Sequence, residues 1–148
     1  MNIKNLKELG DIVSNELINN KNLKDLSDIL NQYDGNDWLD FIRITETYNK
    51  HSVYKNDLIE IYIITWSFNQ SSPIHNHPQN GCLLRLLSGN LCEEIYDSDL
   101  NFKTRNRLAK NDISYMEGNK IVHRIMNYDQ ISVSVHIYCG LYNIKYFC

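Results

Sequence analysis

The stretch Pro73-Ile74-His75-Asn76-His77-Pro78 decides how this 148-residue chain is interpreted. Side chains at positions i and i+2 of a β-strand point to the same face of the sheet. His75 and His77 could therefore present two imidazoles to one metal ion. A His-x-His pair alone is equally consistent with two surface histidines in a loop, so the interpretation depends on the rest of the chain.

The residues that follow this pair support a metal site. Four residues separate His77 from Cys82, six more separate Cys82 from Gly89, and three separate His123 from Asn127. This layout resembles the two motifs of the cupin family, His-x-His-x4-Glu-x6-Gly and His-x3-Asn. Cys82 stands in the place of the motif's glutamate.

The replacement of that glutamate changes the chemistry of the site. Two histidines and a carboxylate form the facial triad of non-haem Fe(II) oxygenases, whereas His75, His77 and His123 would all be neutral imidazoles. A divalent ion held by them keeps its full positive charge and favours an incoming anion such as a thiolate. The ligands alone do not select the metal, because three histidines also suit catalytic zinc.

The apolar pattern divides the chain into two parts. In the first forty residues apolar side chains recur at steps of three and four, which predicts amphipathic helices, and Gly35 is a candidate helix stop. From about His51 the pattern changes to short β-branched and aromatic runs that are typical of strands. The predicted strands are Leu58–Trp66, Leu83–Leu87, Leu91–Tyr96, Phe102–Leu108, Ile113–Met116, Ile121–Met126, Ile131–Tyr138 and Leu141–Phe147.

Many short strands at regular spacing predict a mainly β protein, a small barrel or sandwich. Ser88-Gly89-Asn90 between two of the strands is a hairpin signal. With the cupin-like motifs, we expect a cupin-type β-barrel (jelly roll) with N-terminal helices. The expected organisation is one domain over residues 1–148, helical in residues 1–45 and β-barrel in residues 51–148.

Composition excludes several classes of function. The chain has 15 Lys and Arg against 18 Asp and Glu, a formal net charge of −3, which argues against nucleic acid or an anionic membrane as its partner. No apolar run approaches the roughly 18–20 residues of a membrane span, and the N-terminal residues show no signal-peptide pattern. Four cysteines are too few for a disulfide scaffold. We expect a cytoplasmic protein, and a monomer.

Four blocks of the sequence resemble, in the same order, blocks of the cysteine dioxygenase family: Ser72–His77, Cys82–Leu91, Ile121–Asn127 and Ser132–Tyr138. The resemblance implies an enzyme that uses Fe²⁺ and O2 to convert a small thiol, L-cysteine, to a sulfinic acid. It implies that the iron is held by His75, His77 and His123.

The same resemblance assigns roles to further residues. Ser134, His136 and Tyr138 match the family's hydrogen-bonded Ser-His-Tyr group, and they would share one face of a strand. Cys82 resembles the cysteine that some family members crosslink to this tyrosine through a thioether. Structural roles remain the alternative, because a free cysteine usually behaves as a small buried hydrophobe.

The main departure from the family concerns substrate binding. The family holds the substrate carboxylate with the arginine of a Tyr-x-Arg segment, and this chain has Tyr48-Asn49-Lys50 there. Arginine offers a two-pronged fork to a carboxylate, whereas lysine offers a point charge. Tyr48 and Lys50 are therefore the candidate substrate-binding residues, with a solvated surface lysine as the alternative for Lys50.

Three other functions remain open at this point. One is a dioxygenase of another small thiol such as 3-mercaptopropionate, because Lys50 stands where the family has its carboxylate-binding arginine. The second is a non-catalytic metal-binding cupin that acts as a sensor. The third is a cupin isomerase that depends on zinc or nickel.

Overall fold

The computed structural model describes residues 2–118, 121–140 and 146–147. The chain begins with two short helices, α1 (Leu6–Ile18) and α2 (Ser27–Asn31), and two 3-10 turns, Leu23–Leu26 and Asp37–Phe41. Among the described residues no helix combines the length and the apolar character that crossing a membrane requires. The predicted stop at Gly35 is late, because α2 already ends at Asn31.

Ten strands follow the helices in the part of the chain that the structure describes. They are β1 (Asn49–Lys55), β2 (Ile59–Ser67), β3 (Ile74–His75), β4 (Cys82–Ser88), β5 (Leu91–Asp97), β6 (Phe102–Leu108), β7 (Ile113–Met116), β8 (Ile121–Met126), β9 (Ile131–Cys139) and β10 (Tyr146–Phe147). Of the predicted last strand, residues 141–145 lie outside the described residues. β1 was not predicted as a strand, because its sequence is mostly polar.

The described strands form two five-stranded sheets, and every pairing between strands is antiparallel. The strand order is β1-β2-β9-β4-β7 in the first sheet and β10-β3-β8-β5-β6 in the second. Side chains of both sheets pack together between them. This architecture is a jelly roll of two sheets, which confirms the predicted fold class.

The helices explain which residues of the first sheet point inward. Apolar residues of β2 and β9, such as Ile61 and Val135, pack against α1 and α2 on the outer face. The alternate residues Ser134, His136 and Tyr138 therefore point into the space between the sheets. The polar side chains of β9 face the second sheet because its apolar side chains face the helices.

The prediction of a hairpin at Ser88-Gly89-Asn90 is wrong, although both flanking strands exist. β4 belongs to the first sheet and β5 to the second, so the turn carries the chain from one sheet to the other. Gly89 has φ +88°, and a Cβ there would lie 2.2 Å from the Ser132 hydroxyl oxygen. The Asn90 N–H donates to the same oxygen at 3.0 Å. This docking against the start of β9 directs the turn.

Arg85 of β4 ties the helical segment to the first sheet. Its side chain is buried, and its Nη1 donates to the carbonyls of Leu30 and Tyr33 at 2.7 and 2.8 Å. We expect Arg85→Met to lower the free energy of unfolding by about 3 kcal/mol, because two buried carbonyls lose a charged donor. Urea denaturation measures this. Arg107→Met, on exposed β6, should change stability by less than about 0.5 kcal/mol. Equal effects of both substitutions would contradict this role.

Candidate metal centre

Three histidines converge between the sheets. His75 ends β3 and pairs with His123 of β8. His77 lies beyond the end of β3, where its backbone N–H donates to the carbonyl of Gly118 at 3.0 Å. The His123 Nε2 lies 2.8 Å from the His77 Nε2 and 3.1 Å from the His75 Nε2. The structure therefore brings together the three residues that the sequence singled out.

The hydrogen bonds on the far side of two rings show that this cluster fits a cation. The His75 Nδ1 lies 2.9 Å from the carbonyl of Pro73, which can only accept, so this nitrogen carries the proton. The His123 Nδ1 lies 2.6 Å from the Glu93 carboxylate and is protonated for the same reason. Each neutral ring then turns an unprotonated Nε2 toward the other. The lone pairs of two nitrogens 3.1 Å apart repel each other unless a cation lies between them.

Burial keeps these imidazoles neutral. It lowers the pKa of His75, and it holds the pKa values of His77 and His123 well below the ordinary value of a histidine. The neighbouring imidazoles add to the lowering of the pKa of His77, and so does the positive charge of Lys50. Neutral imidazole is the form that binds a metal. The donor set, its protonation and its spacing thus suit a divalent ion.

A row of polar side chains on β9 lies beside the histidines. The Ser134 hydroxyl is 2.8 Å from the His136 Nε2. The Trp66 Nε1–H donates to the Ser134 oxygen at 3.0 Å, which leaves the Ser134 proton to bond His136. The His136 and Tyr138 rings stand next to each other, with centroids 6.2 Å apart. The predicted Ser-His-Tyr group is therefore contiguous, and Trp66 extends it.

Cys82 and Tyr138 lie directly opposite each other on β4 and β9. Side chains in this relation share a face of the sheet, and their Cβ atoms are about 4.5–5.5 Å apart. Both residues are buried, and burial raises the pKa of the Cys82 thiol well above its ordinary value. A protonated thiol therefore lies beside the phenol ring.

Lys50 is part of this site and is not a surface lysine. It lines a small cavity with Tyr48, Tyr138 and two of the three converging histidines, His75 and His123. Its Nζ lies 4.4 Å from the centre of the Tyr62 ring and 4.5 Å from the centre of the Tyr138 ring. Burial lowers the pKa of Lys50, and the negative charge of Glu60 opposes this lowering.

Trp66 and Glu93 belong to the site and were not predicted from the sequence. Trp66 also stacks on Tyr48, with ring centroids 4.8 Å apart, so it touches both the cavity and the β9 row. The sequence carries one signal for Glu93, which is the pair Glu93-Glu94 within β5. Adjacent residues of a strand point to opposite faces, so one of the two glutamates has to face the space between the sheets.

Asn127 of the second cupin-like motif and the remaining histidine, His51, have structural roles. The Asn127 side chain donates to the carbonyls of Trp66 and Ser67, each at 2.8 Å, and so joins the ends of β8 and β2. The His51 ring packs beside Phe41, with centroids 5.2 Å apart. Neither lines the cavity beside the three histidines.

The jelly roll and the three converging histidines define a cupin with a candidate metal centre. The family model for cysteine dioxygenase type I matches residues 2–147. The chain therefore belongs to the cysteine dioxygenase type I family, which confirms the resemblance of the four sequence blocks.

Individual relatives are more distant. The chain is 30% identical over 91 residues to cysteine dioxygenase type 1 of Rattus norvegicus, an alignment that covers 56% of this chain and 46% of the relative. The chain thus spans about half the length of the curated relatives it matches.

Solved structures share the fold at low sequence identity. A protein with a double-stranded β-helix domain from Klebsiella pneumoniae has a TM-score of 0.62 and 16% identity, covering 75% of this chain and 94% of its own. An RmlC-like cupin from Desulfovibrio desulfuricans has a TM-score of 0.56 and 15% identity, covering 70% and 93%. At such identities the likeness shows the fold alone.

Proposed function

We propose that this chain is an Fe²⁺-dependent dioxygenase that converts L-cysteine and O2 to cysteine sulfinic acid. The observation that carries the proposal is the convergence of three buried, neutral imidazoles beside a cavity lined by Lys50 and Tyr138. The reaction balances as RSH + O2 → RSO2H. The sulfur gives up four electrons, both oxygen atoms end on it, and no other reductant is needed.

In this proposal His75, His77 and His123 hold the metal. Three protein ligands leave coordination positions for substrate, as in catalytic sites and unlike closed structural ones. When bound, the ion would lower the pKa of the substrate thiol and activate O2. The protein contributes the donor atoms in their neutral form, on three buried side chains.

Lys50 is proposed to bind the substrate carboxylate. The cavity has a volume of only about 10 Å³, room for about one water molecule, so side chains move aside when a substrate enters. A carboxylate attracts an ammonium more strongly than the faces of Tyr62 and Tyr138 do, because the charges attract directly. Substrate binding would thus draw the Lys50 Nζ away from those rings, while Tyr48 forms another wall of the cavity.

Tyr138 is proposed to place its hydroxyl toward the reacting groups. The Trp66 N–H and the Ser134 hydroxyl together make the His136 Nε2 an acceptor, so the proton of the neutral His136 ring is on Nδ1. Burial holds the pKa of His136 well below its ordinary value, which keeps this ring neutral. In this role His136 orients the Tyr138 hydroxyl, which then hydrogen-bonds the substrate or O2.

A second candidate is the oxidation of a small thiol acid without an amino group, such as 3-mercaptopropionate. Among the described residues that line the cavity there is one cation, Lys50, and no carboxylate that would bind an ammonium group. The lining thus favours an acidic thiol, and it does not by itself require an amino acid.

The test is O2 uptake and sulfinate detection after anaerobic loading with Fe²⁺, with L-cysteine and 3-mercaptopropionate compared. The proposal expects one sulfinate per O2, with the higher kcat/KM for cysteine. A higher value for 3-mercaptopropionate would instead support the second candidate. Iron binding without O2 consumption with either thiol would support a non-catalytic metal-binding sensor. Zinc or nickel in the purified protein, with O2 uptake absent after iron loading, would indicate an isomerase.

We also expect a thioether between Cys82 and Tyr138 in iron-loaded protein after aerobic turnover. A C–S bond would replace the S–H and one ring C–H bond, and the two hydrogens would pass with their electrons to O2 to give H2O2. Intact mass spectrometry should therefore show the loss of two hydrogens. Tyr138→Phe should show no loss. Cys92→Ser should keep it, because Cys92 lies in the other sheet. An unchanged mass in the wild-type protein would contradict the crosslink.

A further inference from the structure

We propose that Glu93 is a positioning residue of the metal centre, and this inference rests on the proposed function. The cupin motif supplies a negative charge through a glutamate ligand, and Cys82 occupies that place here. In this chain the carboxylate of Glu93 supplies the charge one step further out, through the ring of His123.

The position of Glu93 is unusual for a carboxylate. Its side chain is 2% exposed on β5 and points into the space between the sheets. In the described part of the chain no lysine or arginine forms an ion pair with it. Its neighbour Glu94 points outward and pairs with Arg105 and Arg124. A buried carboxylate is costly unless a positive charge balances it, and a cation bound to His123 would provide that balance.

The hydrogen bonds of Glu93 are those of an acceptor at both oxygens. One oxygen lies 2.6 Å from the His123 Nδ1–H. The Ser114 hydroxyl lies 2.9 Å from one oxygen and 3.0 Å from the other. Ser114 thus fixes the carboxylate, and the carboxylate fixes the tautomer and the orientation of the His123 ring.

This arrangement strengthens a metal ligand in two ways. The fixed tautomer leaves the His123 Nε2 unprotonated toward the other histidines, and an acceptor at Nδ1 increases the basicity of the ring. Loss of such a partner typically weakens metal affinity by about 10–100-fold.

The test is a titration of metal-free protein with Co²⁺ and, anaerobically, with Fe²⁺, in competition with a chelator. Glu93→Gln keeps the size of the side chain and removes its charge, and we expect a Kd about 10–100-fold higher and a changed Co²⁺ absorption spectrum. Glu94→Gln is the matched control, because it alters the next residue on the outer face. It should leave the Kd unchanged, whatever its effect on stability.

The outcomes separate the two proposals. If the wild-type protein binds neither metal, the proposed function fails. If the wild-type protein binds metal and Glu93→Gln binds it equally tightly, the role of Glu93 is overturned and the proposed function stands. Should Glu93→Gln not fold, Ser114→Ala is the alternative variant, because it keeps the Glu93 carboxylate and removes the hydroxyl that fixes its orientation. We expect a Kd several-fold higher than that of the wild-type protein. An unchanged Kd in that variant would also overturn the inference.

Discussion

Replacing His123 with alanine is expected to abolish metal binding and, with it, thiol-dependent O2 uptake. The Nε2 of His123 is within 3.1 Å of the corresponding atoms of both other histidines, and two ligands alone hold an ion weakly. A catalytic metal contributes several kcal/mol to the lowering of a barrier. Its loss therefore corresponds to a fall in kcat/KM of at least about a thousandfold, which leaves no measurable O2 uptake. Anaerobic metal titration and an oxygen electrode measure the two effects.

His51→Ala is the matched control for this experiment, because His51 packs beside Phe41 outside the cavity. It should bind metal with unchanged stoichiometry and turn over within about twofold of the wild-type rate, since it removes no group that contacts metal or substrate. His123→Ala leaves Glu93 without its imidazole partner, so His77→Ala is a useful second variant. Among the described residues the His77 Nδ1 has no hydrogen-bond partner to lose. Full metal stoichiometry in both ligand variants would refute the three-histidine centre.

Local patterns could predict most of the strands. The bounds of β6, β7 and β8 agree with the prediction, because turn residues border each of these strands in the sequence. Which strands pair with each other was harder to predict from the sequence. Ser88-Gly89-Asn90 has the composition of a hairpin turn, yet its direction depends on Ser132, more than forty residues away. A contact at that distance leaves no trace in the residues of the turn itself.

The residues of the candidate site also fall into some that local sequence could predict and others that it could not. The three histidines could be predicted, since the spacing of a ligand set is constrained by the strands that carry it. Glu93 could not, because nothing in a pair of adjacent acidic residues tells which one faces inward. Lys50 remained ambiguous because β1 is too polar to be identified as a strand. Its place became clear only once β1 was paired with β2.

Replacing Lys50 with methionine is expected to lower kcat/KM for L-cysteine by about a hundredfold. Methionine keeps an unbranched side chain of similar length, so the cavity between Tyr62 and Tyr138 stays filled while the charge is lost. Losing one partner of a buried charge pair costs about 2–5 kcal/mol, and about 3 kcal/mol corresponds to this ratio. Most of the loss should fall on KM, because the ammonium binds substrate and transition state alike. Steady-state O2 uptake measures it.

Cysteamine, which is cysteine without its carboxylate, isolates the role of that charge. If Lys50 binds the carboxylate, the wild-type protein and Lys50→Met should oxidise cysteamine at similar kcat/KM. Lys50→Arg should restore the preference for cysteine, since a guanidinium binds a carboxylate at two points. Lys55→Met is the matched control on the same strand, because that side chain is 65% exposed and should leave every rate unchanged. An equal loss for cysteine and cysteamine in Lys50→Met would show that the lysine supports the site in general and does not read the carboxylate.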